Sequence, residues 1–294
     1  MTMELHIYPA VPETLRDSYT ALLTACGLTD EGDGDCTALA LENSDRIIAC
    51  GTRKGDLLKQ VAVAPDHQGE DLAARILSLL IAQKPAGNLM FCTKPGNRRL
   101  FGSMGFYPIV ETEDVLLMEQ QKHGLDRFLA GLPRFPGPCG AVVCNCDPFT
   151  LGHRHLITYA AARCAHLYVF VVSEENGLVP AEDRLELVRR GTADLPDVTV
   201  TGGGAYLVSR ATFPTYFVKD RGRVEEVRVD LDLTLFGRRI APALGIVRRF
   251  VGQEPYCPIT AAYNARMEAL LPGMGVTVDE IPRLAGISAG TIRQ

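Results

Sequence analysis

The sequence predicts a two-domain α/β protein, with a mixed α+β first part and a second part built on a parallel sheet. Three observations predict it. The chain has 294 residues, more than one typical domain needs and enough for two with separate cores. From residue 141 onward, short apolar runs alternate with helical patterns, as in parallel strands joined by crossover helices. Before that the two kinds of run are intermixed. The Pro- and Gly-rich stretch Leu132-Pro133-Arg134-Phe135-Pro136-Gly137-Pro138-Cys139-Gly140 divides the halves. The expected domains are therefore 1–130 and 141–294, joined by a linker at 131–140.

In the first part a short strand is expected at 5–8. A helix over 11–26 follows, with Leu15, Tyr19, Leu22 and Leu23 at helical spacing. Strands come next at 37–41, 46–51 and 56–63, the last leading into the turn Ala64-Pro65-Asp66. A helix over 71–83 carries Leu72, Ile76, Leu79 and Leu80 on one face. A strand at 89–92, a helix at 97–104 and a strand at 115–120 complete this part. In the second part strands are expected at 141–144, 167–172, 198–201, 226–230, 248–252 and 276–279. Helices are expected over 152–165 and 181–190.

Hydrophobic residues make up 47% and charged residues 22%, as in ordinary globular chains. A net charge of −5 with no basic cluster gives no footprint for nucleic acid or an anionic membrane surface. The start, MTMELHIYPAVPETLRD, lacks a basic segment followed by an apolar core, so no signal peptide is expected. No apolar run is long enough to span a bilayer. Nine scattered cysteines, an odd number, fit reduced thiols in the cytoplasm better than a disulfide framework.

The run Asn145-Cys146-Asp147-Pro148-Phe149-Thr150-Leu151-Gly152-His153 joins an expected strand to an expected helix. In open parallel sheets ligands bind outside the carboxyl ends of strands. A helix start offers unpaired N–H groups and partial positive charge, which suit phosphate. Gly152 permits close backbone approach. His153 can donate to a phosphate oxygen and stabilise developing charge. Thr150 adds a hydroxyl at the same mouth. His155 is turned away, roughly 200° around the helix. The plainer alternative is a strand-to-helix turn whose histidine only caps the helix. Near the end, Ile287-Ser288-Ala289-Gly290-Thr291-Ile292-Arg293 would place hydroxyls and a cation over a polyphosphate.

Other groups keep two readings. Cys144 and Cys146, with His153 and His155, can be read as a zinc site or as an acyl-accepting thiol; small buried residues are the simpler reading. Glu182-Asp183-Arg184 either complements a helix dipole or turns Arg184 toward a nucleotide. Lys219-Asp220 either reaches a substrate anion or lies at the surface.

These motifs resemble the nucleotidyltransferase superfamily, with its (H/T)-x-G-H loop and later I-S-S-T-x-x-R-like motif. Within it the chain is most similar to the citrate lyase ligase family, which carries N-x-N-P-F-T-x-G-H. Further segments of that family resemble Glu182-Asp183-Arg184-Leu185, Gly191-Thr192-Ala193-Asp194-Leu195-Pro196, Ser209-Arg210-Ala211-Thr212-Phe213-Pro214, Ile240-Ala241-Pro242-Ala243-Leu244-Gly245-Ile246 and Arg249-Phe250-Val251-Gly252-Gln253-Glu254-Pro255. The resemblance implies a Rossmann-like (HUP) second domain that uses ATP, accompanied by Mg²⁺, to adenylate acetate. The acetyl group would then pass to the thiol of the CoA-like prosthetic group on the acyl carrier subunit of citrate lyase. It implies Thr150, His153 and Arg293 as catalytic groups. Asn145, Asp147, Pro148, Phe149, Gly152, Gly252, Glu254, Ser288 and Thr291 would line the nucleotide site, with no metal held by protein ligands. Gly290 replaces the family's usual second serine, and the chain stops at Gln294, before the helix that usually follows. The second domain is thus expected to be either truncated there or closed differently. Alternative activities are adenylyl transfer to phosphopantetheine or nicotinamide mononucleotide, and nucleotide or carrier binding without catalysis.

The first domain resembles the GNAT acetyltransferase fold. Gln68-Gly69-Glu70-Asp71-Leu72-Ala73 matches its pyrophosphate loop except that Asp71 replaces the middle glycine, and 102–107 matches a later segment. Asp71 adds repulsion for a diphosphate. The resemblance therefore implies a GNAT-like α+β fold in which acetyl-CoA chemistry is open, the other role being to hold the prosthetic arm.

Overall fold

A computed structural model describes residues 3–32, 34–173, 177–207, 213, 218, 220–255 and 257–282. The chain divides into two compact units. One comprises Met1–Gly124 with Phe213–Val227, the other Leu125–Thr212 with Arg228–Gln294.

The first unit contains β1 (Met3–Tyr8), α1 (Arg16–Ala25), β2 (Cys36–Glu42), β3 (Arg46–Lys54), β4 (Leu57–Val63) and α2 (Leu72–Ala82). It continues with β5 (Met90–Thr93), α3 (Arg98–Ser103), β6 (Tyr107–Glu111) and β7 (Leu116–Glu119). The seven strands lie in the order β1-β2-β3-β4-β5-β7-β6. Every neighbouring pair is antiparallel except β4 and β5, which run parallel with Leu57 and Met90 in register. One parallel pair inside an antiparallel sheet is the GNAT-like α+β arrangement. Helix α1 buries Tyr19, Leu22 and Leu23, and α2 buries Leu72, Ile76, Leu77 and Leu80, all in one hydrophobic core. The strand β6 lies beyond the elements that the sequence pattern marked. It carries Pro108, and its place at the sheet edge explains why a residue without an N–H is tolerated there.

The second unit begins with α4 (Gly124–Ala130). It continues through β8 (Cys139–Cys144), α5 (Leu151–Ala161), β9 (His166–Val171), α6 (Ala181–Gly191) and β10 (Val198–Gly202). Then come α7 (Val224–Leu235), of which Arg228 onward belongs to this unit, α8 (Ala241–Leu244), β11 (Ile246–Gly252), α9 (Pro258–Leu270) and β12 (Thr277–Ile281), with a π-helical turn at Phe236–Ile240 joining α7 to α8. The strands are all parallel, in the order β10-β9-β8-β11-β12. The order reverses between β8 and β11. Adjacent residues of β11 show that both faces are covered. Phe250 packs against Gly140 and Cys164 and meets the edge of Tyr159 on α5. Arg249 points the other way, over Phe236 and to Tyr263 on α9.

One expected strand is a correction. The run 226–230 lies within helix α7. Val227, Val229, Leu231, Leu233 and Leu235 alternate with polar residues, which reads as a strand. The helix is instead buried nearly all round, because its polar side chains have partners. Asp230 accepts from Arg266 Nε and Nη2 at 2.6 and 2.7 Å, and Asp232 accepts from the Tyr263 hydroxyl.

Candidate functional site

The carboxyl ends of β8 and β11 meet at the point where strand order reverses, and this is where open α/β sheets bind ligands. Two loops leave from there. One runs from Asn145 to the start of α5, the other from Gly252 to the start of α9.

Thr150 is the N-cap of α5, with φ −124° and ψ 167°. Its hydroxyl accepts from the His153 backbone N–H at 3.4 Å, while its own backbone N–H donates to His153 Nδ1 at 3.1 Å. This is a capping box in which histidine takes the place of the usual glutamate or glutamine. The bond also sets the tautomer. Nδ1 is an acceptor, so the neutral ring carries its proton on Nε2, where it can serve as a donor. The two readings of His153 are therefore not exclusive: one nitrogen caps the helix, and the other keeps a proton that it can donate. His155 is exposed, as the helical spacing predicts.

The residues before Thr150 shape the loop. Asn145 accepts from Arg184 Nη1 through its carbonyl at 2.8 Å, and through its side-chain oxygen as well. Arg184 is fully buried and anchors Asn145, while Glu182 and Asp183 stand in the first turn of α6, where they complement its dipole. Asp147 is buried. Its two oxygens accept from the backbone N–H groups of Leu178 and Val179 at 3.1 and 3.0 Å, tying the approach to α6 onto the loop. Pro148 follows through a cis bond. Phe149 lies flat against His153, ring centroids 6.0 Å apart, and fills the space that a side chain at Gly191 would take. Arg154 completes the contact between α5 and the end of α6. It donates to Asp194 at 2.9 and 2.7 Å and to the Gly191 carbonyl.

Across the reversal point, a Cβ added to Gly252 would meet nothing within 4 Å, so space is open beside this strand end. Asn264 donates to the Gly252 carbonyl at 3.1 Å and holds it to α9. Glu254 accepts from the Cys257 N–H at 3.3 Å, at the N-terminal end of α9. Arg249 belongs to the same expected nucleotide stretch, but it is buried beneath the sheet. It donates to the Tyr263 hydroxyl at 2.9 Å, and that hydroxyl donates to Asp232. Burial holds the Tyr263 hydroxyl protonated far above its usual range.

Cys144 and Cys146 bring their sulfurs to 3.1 Å. Contact with Cys144 and burial push the Cys146 thiol up, which makes it a poor acyl acceptor. Among the described residues no group of three or more His, Cys, Asp or Glu side chains is arranged to hold a metal ion. No helix among them is long and apolar enough to cross a membrane. Ser288, Thr291 and Arg293 lie outside the described residues, as do Lys219 and Gly290. What the sequence pattern had not separated is the division of labour within the loop. Arg184, Gly191, Arg154 and Asp194 act there, although they lie on other turns of the chain or deeper in α5.

In the first unit, the run 68–73 that resembles a pyrophosphate cradle carries Glu70 and Asp71, with Asp66 just before it. Asp71 has a left-handed backbone with φ 56° and makes no side-chain cap to α2. Arg46 holds Asp66 at 2.6 Å and lowers its carboxyl below the usual range, and Glu70 bonds His67 at 3.1 Å.

A parallel sheet with this order, and a capped helix opening at its reversal point, define the second unit as a Rossmann-like domain of the nucleotidyltransferase kind. A family model described as the citrate lyase ligase C-terminal domain matches residues 139–294. The chain is 40% identical over 278 residues to a citrate (pro-3S)-lyase ligase from Klebsiella pneumoniae, covering 89% of this chain and 81% of that one. It is 38% identical over 272 residues to the protein of that name from Escherichia coli strain K12, covering 87% and 77%. It is 42% identical over 148 residues to a phosphopantetheine adenylyltransferase from Corynebacterium efficiens, covering 46% and 90%. The chain belongs to the citrate lyase ligase family.

Proposed function

We propose that the second domain binds ATP at the loop from Asn145 to His153 and joins acetate to AMP. The chain then passes the acetyl group to the prosthetic-group thiol of the citrate lyase acyl carrier subunit. The observation that carries this reading is the capping box of Thr150 and His153 at the strand-order reversal, in a chain of this family.

The residues present fit a triphosphate. The first N–H groups of α5 have no partners within the helix and lie at its positive end. The His153 ring supplies an Nε2–H donor at the same end. Open space beside Gly252 leaves room for the rest of the nucleotide. These donors stabilise the negative charge that develops on pyrophosphate as acetate oxygen attacks the α-phosphorus. The protein's task is chiefly alignment and charge stabilisation. Arg184 and Asp147 contribute by holding the loop rigid. Ser288, Thr291 and Arg293 would close over the phosphates, and Gly252 and Glu254 would border the adenosine. Magnesium would accompany ATP and neutralise part of its charge. We assign the prosthetic arm to the first domain; the loop carboxylates weaken its hold on the diphosphate that free acetyl-CoA and the arm share, so tethering to the carrier subunit has to supply the remaining affinity. Weak acetyl-CoA binding is the expected result there, and tight binding without ATP turnover would replace this assignment with an acetyltransferase role.

The decisive measurement is ATP–pyrophosphate exchange with acetate, followed by AMP formation when deacetylated citrate lyase is added. His153→Ala should lower exchange on the order of a hundredfold, the usual cost of removing one such donor. Exchange driven by phosphopantetheine and not by acetate would overturn the reading in favour of the adenylyltransferase that the third relative resembles.

A further inference from the structure

We propose that Cys144 and Cys146 are a site of reversible oxidation, in which a hydroperoxide links them as a disulfide and the loop loses its hold on nucleotide. The last clause rests on the nucleotide reading of this loop; the disulfide itself does not.

Both cysteines are free thiols, with sulfurs 3.1 Å apart. A disulfide needs about 2.0 Å, so closure asks each sulfur to move by only a fraction of an ångström. The two positions differ in access. Cys146 is buried, while Cys144 is partly exposed. The Cys146 S–H donates to the Cys144 sulfur, so the two sulfurs already face one another. Cys146 also has a left-handed backbone, φ 52°, a conformation uncommon for a residue with a Cβ. That bend turns the chain so that residues two apart face one another.

The chemistry balances in two steps. The Cys144 sulfur attacks the peroxide oxygen, the O–O bond breaks, and Cys144 becomes a sulfenic acid while the other oxygen takes up the Cys144 thiol proton and leaves as water or an alcohol. The Cys146 sulfur then attacks that sulfenic sulfur. Its thiol proton and the departing hydroxide leave as water, and the S–S bond forms. Two thiols are oxidised and one peroxide is reduced. A link across a single intervening residue is strained, which places it among disulfides that thiols readily reverse.

The intervening residue is Asn145, whose two oxygens are fixed by the buried Arg184. Drawing the flanking sulfurs together pulls against that anchor and against the Asp147 clamp one residue on. The strain falls on the segment that presents Thr150 and His153.

The test treats the full chain with hydrogen peroxide and maps the link by mass spectrometry. The peptide between Arg134 and Arg154 also contains Cys139, so fragmentation must place the bond. The expected product lacks two hydrogens between Cys144 and Cys146, is restored by dithiothreitol, and has lost ATP binding measured by calorimetry. Cys144→Ser should bind ATP before and after peroxide alike. Cys146→Ser should leave a sulfenic acid on Cys144 that dimedone traps; if that variant does not fold, the wild-type mapping decides. A bond mapped to Cys139, no bond at all while other thiols oxidise, or unchanged ATP binding in the linked wild type would each overturn the proposal. A reduced chain that forms the link but never binds ATP would remove the nucleotide reading and leave the disulfide standing.

Discussion

His153 carries two tasks on one ring, and they can be separated by substitution. In His153→Glu the carboxylate can still accept from the Thr150 N–H, as in the common capping box, but the Nε2 donor is replaced by negative charge. Stability should stay within about 0.5 kcal/mol of wild type, while acetate-dependent exchange is lost. Thr150→Ala should cost about 1 kcal/mol, read as a lower denaturant midpoint, and should also lower exchange because the ring loses the Thr150 hydroxyl 3.0 Å from Nδ1. A His153→Glu variant as unstable as Thr150→Ala would show that the ring's packing on Phe149 matters more than its bond. At this scale the sequence was informative about which residues matter and less so about how. Asn145 and Asp147 read as nucleotide ligands because they stand in the loop. In the fold their oxygens accept from Arg184 and from the 178–179 backbone. The partners lie more than thirty residues away, so spacing within the loop carries no trace of them.

The first turn of α5 is held by the end of α6, where Gly191 makes the contact possible. A methyl group at residue 191 would overlap the Phe149 ring. Gly191→Ala should therefore cost about 1–3 kcal/mol in a denaturant titration, the usual range for overpacking. Phe149→Leu should recover part of that in the double variant, a coupling that two independent sites would not show. Elements with strong periodicity were legible, including α2, α5, α6 and the parallel strands. Helix α7 was not, because tertiary burial supplied partners to its polar positions and left an alternating pattern where a helical stripe was expected. The short strand β6 escaped for a different reason: Pro108 argues against a strand until its edge position is known.

At the scale of the molecule, pH acts through a group far from the nucleotide loop. His166, at the amino end of β9, stacks on Phe135 with centroids 3.4 Å apart and bonds Thr199 at 2.9 Å. Its Nδ1 is buried and has no hydrogen-bond partner among the described residues. Burial lowers its pKa below the ordinary histidine value. The unfolded chain therefore takes up this proton first as pH falls. The stability that His166 contributes is full above its ordinary pKa of about 6.5 and declines as pH drops through that value toward the folded one. The midpoint of denaturation should fall between pH 7.5 and 5.5, and fall less in His166→Phe, which keeps the stack and removes the titration. Equal losses in both proteins would remove His166 from this role. The sequence pattern changes from mixed to alternating near residue 140, whereas the compact units divide between Gly124 and Leu125, and the return of 213–227 to the first unit left no mark in the pattern.

The reversal of strand order between β8 and β11 has a consequence for engineering. The opening there is a product of connectivity: two chain segments leave neighbouring strands in opposite directions. Replacing the side chains around it changes what it holds but does not move it. A circularly permuted protein whose new ends fall at the amino edge of the sheet, such as the turn before His166, would keep the gap in place. Ends cut into the Asn145 loop would sever the connection that creates it.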